Sequence, residues 1–180
     1  MAKIERVEVF LSAQKLDARV AELGREIEAL PPTEQPLVVI CVLKGSILFF
    51  ADLVRNLQRP VHLVFLGVSS YAGATESSGA VRLTHDLTLD IAGRDVVIVE
   101  DIVDTGLTLH YLLECLRSGS PASVKLCALL EKPSRRKKAL DIDYLGFTVP
   151  DSFIVGYGMD CAERYRNLPD ISCLNQEDCP

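Results

Sequence analysis

Two adjacent carboxylates, Glu100 and Asp101, and a third at Asp104 stand directly before the turn Thr105-Gly106-Leu107-Thr108. Upstream, Val96-Val97-Ile98-Val99 is a run of β-branched residues, the pattern of a strand buried on both faces. The chemistry therefore changes abruptly where that strand should end. A Thr/Gly turn that opens a helix offers N–H groups, hydroxyls and the positive end of a dipole to a phosphate. Acids beside an anion site are contradictory unless one ligand wants both. A phosphorylated sugar does: its phosphate suits the turn, and its vicinal hydroxyls can donate to the acids or share a divalent metal with them. The bland alternative is a core strand followed by incidental surface acids. It is disfavoured because desolvating two neighbouring carboxylates is costly without donors or metal.

The elements that must position these groups follow from the apolar pattern. Ser12 is a candidate cap for a helix with Leu16, Val20, Leu23, Ile27 and Leu30 at helical spacing, and Pro31-Pro32 stops it. Leu37 to Leu43 is a buried strand ending in Lys44-Gly45-Ser46, before an apolar helix from Ile47 to Leu57. Glycine in such a turn lets backbone N–H groups approach an anion, whereas a turn lysine alone is most often just solvated. Val61 to Leu66 is a third strand, and Gly67 to Gly79, with Ser70-Tyr71 inside it, is a Gly/Ser/Ala-rich loop. A loop of that length inside a compact domain is usually functional or disordered. Val81 to Leu87 alternates as a returning strand, and a helix is expected over about Leu107 to Arg117. Ser123 to Leu130 is another buried strand, followed by Glu131-Lys132-Pro133 and the basic run Arg135 to Lys138, which reads as a solvated face. Asp141 to Phe147 alternates, and Phe153 to Asp160 closes the patterned part of the chain. Strands alternating with helices predict an α/β fold with a twisted, mostly parallel sheet flanked by helices.

Composition bounds the possibilities. The chain has 180 residues, 48% of them hydrophobic and 24% charged, an ordinary globular composition. Its net charge of −6 gives no global footprint for nucleic acid, so any polyanionic ligand must be held by metal ions and local basic groups. No apolar run is long enough to span a bilayer and no signal peptide is visible. None of the six cysteines is spaced as in a zinc site. Cys41, Cys115 and Cys127 fit core patterns, while Cys173 and Cys179 read as free thiols near the end. Together these point to a reduced cytoplasm.

The hydrophobic run, two acids, two apolar residues and Asp-Thr-Gly-x-Thr resemble the phosphoribosyl-pyrophosphate (PRPP) signature of the type I phosphoribosyltransferases. Phe153-Ile154-Val155-Gly156-Tyr157-Gly158-Met159-Asp160 resembles the base-binding segment of their hypoxanthine-guanine branch. The resemblance implies transfer of the phosphoribosyl group of PRPP to hypoxanthine or guanine, with xanthine a third candidate. It implies a single domain over 1–180, with a core of about 12–135 and a small hood from about 1–11 and 141–180. Glu100 and Asp101 would hold ribose and Mg2+, and Asp104 to Thr108 (Asp104, Thr105, Gly106, Leu107, Thr108) the 5′-phosphate. Asp104 would also exchange a proton with purine N7. Lys44, Gly45 and Arg166 would meet pyrophosphate, and Ser70-Tyr71 would close as a lid. Lys132 would donate to the purine O6, Phe153 would stack on the base and the Ile154 backbone would bond its edge. Asp160 would help to hold a second metal through water. The family often has glycine where Ser46 stands and valine where Ile154 stands; neither departure touches an invoked group. A homodimer or homotetramer is implied, with no nucleic-acid or membrane partner. The alternative is a PRPP-binding regulator acting on RNA or DNA, for which Arg135 to Lys138 would be the candidate patch.

Overall fold

The computed structural model describes residues 8–70, 81–83, 89–174 and 179. A large sheet is built from β2 (Leu37–Leu43), β3 (Val61–Ser70), β4 (Val81–Leu83), β5 (Asp95–Val103), β6 (Ser123–Glu131) and β7 (Tyr144–Thr148), in the order β4-β3-β2-β5-β6-β7. Five of these strands run parallel and β4 is an antiparallel edge on β3. Burial explains why apolar runs, and not alternating patterns, mark the central strands. Val96 to Val99 and Val38 to Cys41 are fully enclosed, because helices cover both faces of a parallel sheet.

On one face lie α1 (Ala13–Glu28) and α2 (Ile47–Arg55), which bury Leu16, Val20, Leu23, Ile27, Phe49 and Leu53 against Val39, Cys41, Val97 and Val99. On the other, α3 (Leu107–Ser118) buries Leu109, Leu112, Leu113 and Leu116 against Val38, Ile40, Val96 and Ile98. Ser12 occupies the cap position of α1, but its hydroxyl makes no capping bond. Asp170 does that job, its Oδ1 accepting from the Ala13 amide at 2.7 Å.

A second, three-stranded antiparallel sheet has the order β1 (Glu8–Leu11), β9 (Ile171–Leu174), β8 (Phe153–Val155). This small layer joins the two ends of the described chain and packs Ile154, Tyr157, Met159 and Ile171 onto the α1/α2 side of the core. β7 pairs with β6 in the large sheet. Three expectations change. β3 runs on to Ser70 because β4 pairs with it there, and β5 runs beyond the two acids to Val103, which pairs with Glu131. Cys179 is not a free thiol: it is bonded to Cys161, with a Cα–Cα separation of 5.9 Å, whereas Cys173 is free. Among the described residues no helix is long and apolar enough to cross a membrane.

Candidate active site

Parallel strands bring their carboxyl ends to one edge, and in such sheets ligands bind there. β2, β5 and β6 end beside one another, and the small layer stands over them. Between them lies a cleft of about 680 Å³. Its walls carry Lys44, Gly45, Glu100, Asp101, Asp104, Thr105, Gly106, Thr108, Lys132, Phe153, Ile154, Asp160 and Arg166. Thirteen of the sixteen residues singled out from the sequence therefore converge. Leu107 begins α3 without lining the cleft. Ser70 ends β3 opposite Val81, and Tyr71, with the rest of the expected lid, lies outside the described residues.

The turn after β5 is shaped by Gly106, whose φ of 78° is left-handed and so favours glycine. Gly106 caps α3 and its carbonyl accepts from His110 N at 2.9 Å. That places the open first turn of the helix beside Thr105 and Thr108. The Leu43–Lys44 peptide is cis. Gly45 is packed so closely on Asp101 that any Cβ would fall on the carboxylate, and Gly158 of the small layer abuts the Gly45 carbonyl in the same way.

Glu100 and Asp101 keep some surface on the cleft while protein encloses their carboxyl groups. Burial, reinforced by the neighbouring Asp101 charge, pushes the Glu100 carboxyl well above its ordinary range. Burial also lifts Asp101, to about 6, against the opposing pull of the Ile102 and Asp101 amides and of Arg166. Glu100 Oε2 is buried with no hydrogen-bond partner. Asp160, in contrast, is engaged: Oδ1 pairs with Arg166 at 2.7 Å and Oδ2 accepts from the Glu163 amide at 2.8 Å. Arg166 also donates to the Gly158 carbonyl at 2.8 Å. Lys132 is buried, its amide donating to the Val103 carbonyl at 3.0 Å and its Nζ to the Ser152 carbonyl at 2.6 Å. Two participants escaped the sequence reading. Glu163 lines the cleft and pairs with Lys44 at 2.9 Å, and Arg135 pairs with Asp104 at 2.8 Å.

The description of a phosphoribosyl transferase domain fits residues 8–162. The chain is 49% identical over 172 residues to the hypoxanthine-guanine phosphoribosyltransferase of Mycobacterium avium, covering 93% of this chain and 85% of that one. It is 45% identical over 174 residues to that of Bacillus subtilis, covering 97% and 96%. The chain belongs to the hypoxanthine-guanine phosphoribosyltransferase family.

A crystal structure of a hypoxanthine-guanine phosphoribosyltransferase from Bacillus anthracis matches this fold with a TM-score of 0.89 at 45% identity, covering 94% of this chain and 100% of that one. The regulator acting on RNA or DNA finds no support among these phosphoribosyltransferase relatives. The basic run offered for it is not a plain solvated face either. Arg135 and Arg136 are paired with Asp104 and Glu131, at 2.8 and 3.1 Å. The amides of Lys137 and Lys138 donate to the Thr105 carbonyl at 2.9 and 3.2 Å.

Proposed function

We propose that this chain is a purine-salvage enzyme that joins hypoxanthine or guanine to C1 of PRPP, giving IMP or GMP and pyrophosphate. What carries this is the convergence on one cleft of four segments far apart in the chain: 43–45, 100–108, 132 and 153–166. Residues 1–180 act as one domain, and a homodimer or homotetramer in the cytoplasm is the working form.

The Thr105 to Thr108 turn takes the 5′-phosphate on its free amides and hydroxyls. Glu100 and Asp101 accept from the ribose hydroxyls. Lys44, the Gly45 backbone and Arg166 face the pyrophosphate, and the segment with Ser70 and Tyr71 closes over the centre and excludes water. Lys132 reads O6, since an ammonium only donates and so accepts an oxo group and rejects an amino group. Phe153 stacks on the purine and the Ile154 backbone bonds its edge. As N9 attacks C1, the C1–O bond breaks and its electron pair leaves with pyrophosphate. The proton on purine N7 passes to the Asp104 carboxylate, a general-base role.

The donor set also fits a divalent cation. The orphaned Glu100 oxygen and the raised carboxyls of both acids are what a bound cation would relieve. Among the described residues no three His, Cys, Asp or Glu side chains are grouped to hold a metal alone. Glu100 and Asp101 would therefore hold Mg2+ together with substrate oxygens and water, as Mg2+ prefers, and Asp160 would help to hold a second ion through water. Bound there, it supplies neutralisation of the diphosphate charge.

The test is product formation from PRPP and Mg2+ with hypoxanthine, guanine, xanthine, adenine or uracil offered separately. Turnover is expected with hypoxanthine or guanine, and their ratio sets the preference. PRPP binding with no turnover of any base would overturn the assignment.

A further inference from the structure

Arg135 reaches the site from outside the cleft. Its Nε donates to Asp104 Oδ1 at 2.8 Å, and its Nη1 lies 3.6 Å from Asp151 Oδ1. The same Asp151 oxygen is 3.8 Å from Lys132 Nζ. The backbone supports this arrangement: the Arg135 amide donates to the Lys132 carbonyl at 3.1 Å, in a 3-10 turn opened by Pro133. Charges thus alternate along Asp104, Arg135, Asp151 and Lys132, across three separate loops. The two ends of that chain are the groups assigned to purine N7 and O6, and the middle two touch neither.

We propose that Arg135 is a positioning residue that sets the proton-transferring carboxylate and the base-reading ammonium in register with one purine. A guanidinium bonded to one oxygen of Asp104 fixes the carboxylate plane and leaves the second oxygen for N7. Through Asp151 the same guanidinium is tied to Lys132, so the spacing of the two purine contacts is held on the far side of the cleft wall. Arginine suits this job because its planar fork presents donors in two directions at once. An ordinary surface ion pair with Arg135 and Asp104 side chains 47% and 38% exposed would contribute almost nothing. The two possibilities differ in kinetics, not in stability. The inference rests on the role of Asp104 proposed above.

The experiment is single-turnover and steady-state kinetics of Arg135→Ala, Arg135→Lys, Asp104→Asn and the Asp104→Asn/Arg135→Ala double variant, with PRPP, Mg2+ and hypoxanthine. The expected result is a fall of about tenfold in the single-turnover rate of Arg135→Ala, because a reacting group loses its orientation. KM for PRPP should stay within about twofold, and the lysine variant or millimolar guanidinium ion should restore part of the rate. On the Asp104→Asn background, removing Arg135 should cost much less than in the parent, and what remains should appear as a raised KM for hypoxanthine, through Lys132. A slow Asp104→Asn beside an Arg135→Ala of undiminished rate overturns the inference and leaves the general base standing. An Arg135→Ala faster than the parent also overturns it, since the arginine would then be obstructing Asp104. An Asp104→Asn of undiminished rate removes the general base itself, and the inference with it.

Discussion

Asp104 and Gly45 separate two ways in which one residue can matter. Asp104→Asn keeps the shape but cannot take the N7 proton, so turnover should fall by about 10²-fold or more. PRPP affinity, read by calorimetry, should change much less, and an equal loss in both would mark Asp104 as structural. Gly45→Ala would push a methyl onto the Asp101 carboxylate, so kcat/KM for PRPP should drop at least about tenfold through misplaced ligands. Gly93→Ala is the contrast: its φ is +68° with nothing within 4 Å. Backbone strain of about 1 kcal/mol should appear in urea unfolding, with kinetics unchanged. What the sequence showed at this scale were groups whose work is local, such as Glu100 to Thr108 and Lys44-Gly45. Glu163 and Arg135 stayed hidden because their partners lie 119 and 31 positions away, a distance that no short pattern spans.

At the scale of elements, α1 is legible from Leu16, Val20, Leu23 and Ile27, all essentially inaccessible to solvent, yet both of its ends are finished by distant groups. Its first amide is capped by Asp170. Asp170→Ala should therefore cost about 1 kcal/mol in chemical denaturation, and Ser12→Ala far less. At the other end, Glu28 accepts from the Gln58 and Arg59 amides at 2.8 and 3.2 Å. Partial burial pushes its carboxyl up, but those amides and the Arg59 guanidinium outweigh it and leave the pKa below its ordinary 4.5. A carboxyl depressed by folding stabilises above its unfolded pKa, and the contribution disappears as pH falls through the folded value. Glu28→Gln should cost about 1 kcal/mol at pH 7, and urea midpoints of parent and variant should draw together below pH 4.5. Strand β9 was not legible at all. Its four residues become a strand only between β1 and β8, so the pairing, and not Ile171-Ser172-Cys173-Leu174 itself, makes the element.

For the whole molecule, the alternation of apolar strands and helices gave the large sheet in advance, and the family resemblance gave a small hood from the two ends of the chain. The strands that make the hood emerged only from the pairing of β1, β9 and β8. Tyr157 rivets the small layer to α2: its hydroxyl donates to Asp52 at 2.6 Å, and burial pushes the phenol above its ordinary range. Tyr157→Phe should lower stability by about 1 kcal/mol in urea. Because Phe153 and Ile154 ride on the same small layer, KM for the purine should rise more than KM for PRPP. The abutment of Gly158 on the Gly45 carbonyl has a practical corollary for anyone exchanging base-recognition modules between such proteins. A transplanted layer carrying a side chain at 158 would meet main chain, which cannot swing aside as a rotamer can, and the collision would reach the turn at 45. The module that can be traded is therefore larger than the stretch that touches the base. It has to bring its own glycine, or a matching Leu43-Lys44-Gly45 turn, along with it.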